Sequence, residues 1–183
     1  MTVWFTADQH FHHANIIKYT NRPFDSVEEM NEVMIERWNK RVKDGDTIYQ
    51  LGDFALCSSE KADEIIARLN GTIIFVPGGH DKWIKAYHRE KFSIEPLIFI
   101  KYHMGTDKVY ITLCHYPMLS WEQSHYGMPH FHGHSHGTIG VTSGGRDWLP
   151  RPDMKQGIRI DVGVDCWGFY PMDLQTLLRI AMK

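Results

Sequence analysis

The chain has 183 residues, 43% hydrophobic and 23% charged, the profile of an ordinary globular protein long enough to bury a core without disulfides. Lys plus Arg total 20 and Asp plus Glu total 22, a formal charge of −2, which excludes a strongly basic nucleic-acid coat and an acidic disordered tail. Cys57, Cys114 and Cys166 are odd in number and never paired as C-x-x-C, so a disulfide framework or thiolate zinc site is not indicated and a reduced, cytoplasmic setting is expected.

No apolar run reaches the roughly 18 residues of a membrane span. The N-terminus lacks a basic segment and its apolar run is cut by Asp8, so it does not read as a signal peptide. Neither repeat nor low-complexity linker divides the chain, and one domain over 1–183 is expected.

In chain order, Thr2 to Ala7 reads as a strand ending at Asp8. Ser26 to Val42 reads as a helix, capped by Ser26 or Asp25, with Val27, Met30, Met34, Trp38 and Val42 on one face. Thr47 to Leu51 is a second strand, ending in Gly52-Asp53. Glu60 to Leu69 is a helix stopped by Gly71. Thr72 to Val76 is a third strand, followed by Pro77-Gly78-Gly79-His80-Asp81 and a short helix around Lys82 to Arg89.

The second half reads mostly as strands. Leu97 to Tyr102 and Lys108 to Cys114 flank a turn, and the second ends at His115. Trp121 to Met128 is loop or short helix, Phe131 to His136 a short strand, Thr142 to Met154 a surface loop, Gly157 to Val164 a strand and Leu174 to Met182 a closing helix. Strand–helix alternation followed by strands predicts an α/β (α+β) core with helices outside.

Twelve histidines is a high count, and they cluster at 10–13 and 125–136. The clusters fall where strands end: Asp8-Gln9-His10, Asp53, His80-Asp81, His115 and His134-Ser135-His136. Residues two apart on an extended chain share a side, so Asp8 with His10, and His134 with His136, can face one point. Any one of these alone is more simply a cap or surface residue. Five such groups at five strand ends point to a metal site of imidazole and carboxylate, suited to zinc, manganese, iron, cobalt or nickel.

Taken with their glycines, Asp8-Gln9-His10, Gly52-Asp53, Gly78-Gly79-His80-Asp81, Cys114-His115 and Gly133-His134-Ser135-His136 resemble the ordered motifs of the calcineurin-like metallophosphoesterases. His10-Phe11-His12-His13-Ala14-Asn15-Ile16-Ile17, Asn21-Arg22-Pro23-Phe24 and Asp161-Val162-Gly163-Val164-Asp165 look like the short stand-alone bacterial and phage members. The resemblance implies a four-layer α-β-β-α sandwich with two divalent transition metals (Mn, Fe, Zn, Ni or Co) at the strand ends. Asp8, His10 and His136 would hold the first, His115 and His134 the second, and Asp53 would bridge, its two oxygens reaching two cations. His80 would sit beside the substrate phosphate, and His13 and Arg22 lie in segments that could contact it. Two metals about 3.5–4 Å apart can activate a water and clamp a phosphoryl transfer.

The sequence departs from the family pattern at Gly79, where the family carries a metal-binding Asn: either the second metal is held more weakly, or a neighbouring group supplies the ligand, or the glycine is an engineered replacement. The expected activity is a metal-dependent phosphohydrolase, leaning to phosphodiesters of small nucleotide-like or aryl type. The alternatives are a nuclease, disfavoured by a charge of −2 without a basic stripe, a phosphomonoesterase, and a non-catalytic metal-binding scaffold. Trp121 and Trp148, in expected loops, could stack a base or brace those loops.

Overall fold

The computed structural model describes residues 1–139, 142–143 and 157–181. Its first sheet is built from β1 (Val3–Thr6), β2 (Thr47–Gln50), β3 (Thr72–Phe75) and β9 (Met172–Asp173), in the order β3-β2-β1-β9. β1, β2 and β3 run parallel, in the register Val3↔Thr47↔Thr72, and β9 is antiparallel to β1. Parallel strands need crossovers, supplied here by helices. Two of the three, α1 (Ala14–Tyr19) and α2 (Val27–Arg41), lie between β1 and β2, and α3 (Ser59–Ile66) lies between β2 and β3.

The longest of these helices, α2, turns an apolar stripe to this sheet. In α2, Met30, Met34, Ile35 and Trp38 are buried, together with Val42 beyond its end, and they meet Ile48, Ile73 and Phe75 from the strands. The Ser26 hydroxyl accepts from the Glu29 N–H at 3.1 Å, as an N-cap should. Fully burying one such large side chain contributes about 1.5–3 kcal/mol.

The second sheet contains β4 (Ile98–Met104), β5 (Asp107–Leu113), β6 (His130–His132), β7 (Thr142–Ser143) and β8 (Ile158–Asp161), ordered β4-β5-β6-β8-β7. β5, β6 and β8 are parallel, in the register Thr112↔His130↔Arg159. Alternation along these strands sends Val109, Ile111, Leu113, Phe131, Ile160 and Val162 into a second core, facing Phe5, Leu51 and Val76 of the first sheet. α5 (Leu174–Ala181) adds Leu174, Leu177, Leu178 and Ala181 to that core, packed on β1, β8 and β9. The expected α+β sandwich is therefore the architecture of the chain.

The short helix after β3 lies later than expected, as α4 (Ala86–Lys91). Asp81 does not cap it, because its carboxylate is taken up by N–H groups of the Gly78 and Asp53 loops. Of the expected surface loop over 142–154, Thr142 and Ser143 form β7, and the remainder, with Trp148, lies outside the described residues. Trp121 is a loop brace: its indole N–H donates to the Met128 carbonyl at 2.8 Å and its ring packs on His130. Among the described residues no helix is long and apolar enough to cross a membrane.

This topology decides where chemistry can sit. The parallel strands of both sheets end at one edge, and a bridge between Ala7 and Gly163 ties the end of β1 to the end of β8. Clefts at carboxyl ends of parallel strands are the usual ligand positions in such sheets.

Candidate metal centre

The structure brings all seven candidate residues from the strand ends into three overlapping groups, Asp8–His10–His136, His10–Asp53–His80 and Asp53–His115–His134, each with ligand atoms within 4.8 Å of one another. Asp53 Oδ2 is the hub. It lies 3.6 Å from His10 Nε2, 3.5 Å from His115 Nε2 and 3.9 Å from His80 Nε2. These separations exceed a good hydrogen bond, yet His10 Nε2 and His115 Nε2 are buried without a hydrogen-bond partner. Leaving a buried polar atom unpaired costs about 1–3 kcal/mol. Two such nitrogens flanking one carboxylate oxygen fit cations held between them.

The other ring nitrogens are already engaged, which selects Nε2 as the ligand atom. His115 Nδ1 lies 2.8 Å from the Leu51 carbonyl, and His136 Nδ1 lies 2.7 Å from Asp165 Oδ2. His10 Nδ1 is 3.2 Å from His13 Nδ1. A partner on the far nitrogen fixes tautomer and ring orientation in metal-binding histidines.

Backbone conformation marks five of these seven residues. Asp8, His10, Asp53, His134 and His136 all take positive φ, at 60°, 54°, 52°, 69° and 46°. For non-glycine residues this region costs of order 1–3 kcal/mol and is concentrated at functional sites. Local bonds hold it in place. The His134 N–H reaches both Asp8 oxygens at 3.0 and 2.9 Å, and the His80 N–H reaches Asp53 Oδ1 at 2.9 Å. Asp81 Oδ2 accepts from the Asp53 and Gly78 N–H groups at 2.9 and 2.8 Å, welding the second and third strand ends together. Gly78 has no room for a side chain: a Cβ there would strike Asp53 and lie 2.9 Å from His115 Nε2. Gly79 is different, since a Cβ would meet only the Tyr116 hydroxyl, at 3.5 Å.

The chain is 36% identical over 183 residues to MJ1445, an uncharacterized protein of Methanocaldococcus jannaschii, covering 99% of this chain and 92% of that protein. The chain belongs to that protein's family. It shares its fold with AQ665 of Aquifex aeolicus, a protein of unknown function whose crystal structure superimposes with a TM-score of 0.64 over 98% of both chains at 21% identity. The phosphopantetheinyl hydrolase PptH of Mycobacterium tuberculosis aligns over 63% of this chain and 42% of its own, with a TM-score of 0.31 and 16% identity, a likeness that supports no conclusion here. No protein-family model matches the chain.

Arg22 does not face a substrate, contrary to expectation. Its side chain is fully buried and all of its donors are used inside the protein. Nε and Nη2 pair with the two Asp165 oxygens at 2.8 Å each, Nη2 also donates to the Asp8 carbonyl at 2.7 Å, and Nη1 donates to the Gln9 carbonyl at 2.9 Å and to Met30 Sδ at 3.4 Å. Arg22 therefore clamps the loop after β1 and holds Asp165, which in turn orients His136. Asp165 was not among the candidate residues, although it closes the strand-end run Asp161-Val162-Gly163-Val164-Asp165. His13 lies beside the site, its ring 5.5 Å from His80 and 5.2 Å from His10. His12 donates its N–H to Asn31 Oδ1 at 3.2 Å and braces α2, and His132 is buried against His130 on the far side of the second sheet.

The electrostatics of the pocket favour cations. Burial pushes the Asp8 carboxyl up to about 7, against the pull of His136 and His115. Burial likewise drives the His10 imidazole down to about 2, although Asp53 opposes this. Burial works against ionisation of Asp53, but the His115 imidazole and the His80 N–H outweigh it and hold that carboxyl below its usual range. Burial lowers His134 as well. Burial works against His115 and His136 as well, but hydrogen bonds to Asp53 and Asp165 outweigh it and raise both, so a cation entering this cluster takes the place of bound protons.

Proposed function

We propose that the chain is a metal-dependent hydrolase of phosphate esters, of the calcineurin-like metallophosphoesterase superfamily. The observation that carries this reading is the pair of buried, unpartnered nitrogens, His10 Nε2 and His115 Nε2, on either side of Asp53 Oδ2 at 3.6 and 3.5 Å. Asp8, His10 and His136 would hold one divalent ion, His115 and His134 a second, and Asp53 both. When bound, such a pair supplies Lewis-acid activation of a water and charge neutralisation for an in-line phosphoryl displacement.

The rest of the chemistry belongs to the chain. His80 stands at the rim, its side chain 44% exposed and its N–H tied to Asp53. From there its imidazole can donate a proton to a departing ester oxygen while its backbone stays fixed. Arg22 and Asp165 hold His136 in one tautomer, and Asp81 keeps Asp53 in place; none of the three meets the substrate. The rim carries His80, His13 and Tyr116, suited to small nucleotide-like or aryl esters, and a charge of −2 disfavours a nucleic-acid polymer.

The test is hydrolysis of an aryl phosphodiester and an aryl phosphomonoester with added manganese. Manganese-dependent turnover, faster on the diester and abolished by Asp53→Asn, is expected. A protein that takes up manganese and turns over neither ester would overturn the proposal in favour of a binding scaffold.

A further inference from the structure

We infer that Tyr116 is a substrate-contacting residue on the Asp53–His115–His134 side of the centre, its hydroxyl donating a hydrogen bond to a phosphoryl oxygen. The inference rests on the phosphate-ester reading above. Tyr116 directly follows His115, so the end of β5 places both. Its ring stands edge-on to His115 and to His134, with centroids 4.7 and 4.8 Å away at interplanar angles of 74° and 66°. It therefore packs on both imidazoles of this group while remaining 48% exposed. Its backbone is held too, the carbonyl lying 3.1 Å from His130 Nε2.

The hydroxyl reaches across to the loop after β3, where a Cβ on residue 79 would lie 3.5 Å from it. Residue 79 sits between Gly78, which is pressed against Asp53 and His115, and His80, whose N–H is bound to Asp53. The phenol oxygen thus overhangs the Asp53 loop in the space that a side chain at 79 would enter. It makes no hydrogen bond to any other described residue. A rigid ring that ends in a free donor beside a cation-binding group is suited to an anionic oxygen. Its hydroxyl adds a hydrogen-bond donor that the histidines themselves do not supply. Hydrogen bonds to charged groups are worth more than neutral ones.

Tyr116→Phe tests this, because it keeps both ring contacts and removes only the donor. Manganese uptake would be followed by elemental analysis and titration, and inorganic phosphate binding to the manganese-loaded protein by calorimetry. Unchanged manganese affinity with phosphate binding weakened about 10-fold or more is expected, together with a matching fall in kcat/KM. Tyr126→Phe, in the same loop with its ring against His125, should leave phosphate affinity unchanged. Unaltered phosphate binding in Tyr116→Phe would overturn the inference, and so would weakened manganese binding, which would make Tyr116 a support for the ligands. A wild-type chain that takes up no manganese would instead defeat the phosphate-ester reading, and this inference with it.

Discussion

Replacing Asp165 by Asn keeps the shape of the side chain but removes the charge that links Arg22 to His136. Burial works against the Asp165 carboxylate, yet hydrogen bonds from His136 and Arg22 outweigh it and bring the group from 3.8 down to about 2. A lowered carboxyl stabilises the fold above its unfolded value and loses that contribution as pH falls through the folded one. At neutral pH the shift corresponds to about 2 kcal/mol. Removing one partner from a buried pair is costlier, about 3–5 kcal/mol, because Arg22 stays fully buried with nothing to balance it. We therefore expect Asp165→Asn to lose about 3–5 kcal/mol in chemical denaturation at pH 7. The difference from wild type should shrink as pH falls from about 4 toward 2, as the wild-type carboxylate approaches protonation. Manganese affinity should fall about 10–100-fold, the usual effect of removing the group that orients a metal-binding histidine. A variant with wild-type stability and wild-type manganese affinity would refute the role given to the Arg22–Asp165–His136 chain.

His80→Ala should keep its metal content and slow turnover by about 10²–10⁴-fold; metal loss measured by elemental analysis would make His80 a ligand instead. Gly78→Ala should abolish manganese binding, since its Cβ would strike Asp53, whereas Gly79→Ala should change stability by no more than about 1 kcal/mol. Gly79→Asn should raise the manganese affinity of the Asp53–His115–His134 group by adding an oxygen donor, and a titration without any gain would show that the group lacks none. Burial holds the His130 imidazole down to about 4, against the Thr112 carbonyl. This neutral histidine therefore stabilises the fold above its unfolded value of 6.5, and the contribution, about 3 kcal/mol, is lost as pH falls toward 4. His130→Asn should flatten the acid limb of the stability curve, and parallel limbs for the two proteins would count against the assignment.

Much of this architecture was legible because its signals are local. Asp8, Asp53 and His115 each follow an apolar run short enough to be a strand, and Ser26 announces its helix by its own hydroxyl. What escaped was either too short or too distant in the chain. α1 has six residues, no acidic first turn and no side-chain cap, and β9 has two residues. Arg22 and Asp165 are 143 positions apart, so nothing local distinguishes a clamped arginine from one that waits for phosphate. Asp81 illustrates the same limit. Alone it reads as a cap or a surface residue, and the partners that decide its role include Asp53, 28 positions away. Tyr116 carried no signal of its own, since its place depends on His134 and Gly79.

The most direct measurement is anomalous scattering at the manganese edge from crystals grown with manganese. Two peaks are expected, one among Asp8, His10 and His136 and one between His115 and His134, both beside Asp53. The second peak should be the weaker, because Gly79 contributes no oxygen to it. A map with no peak at Asp53, or with manganese bound only elsewhere on the surface, would contradict the existence of the centre.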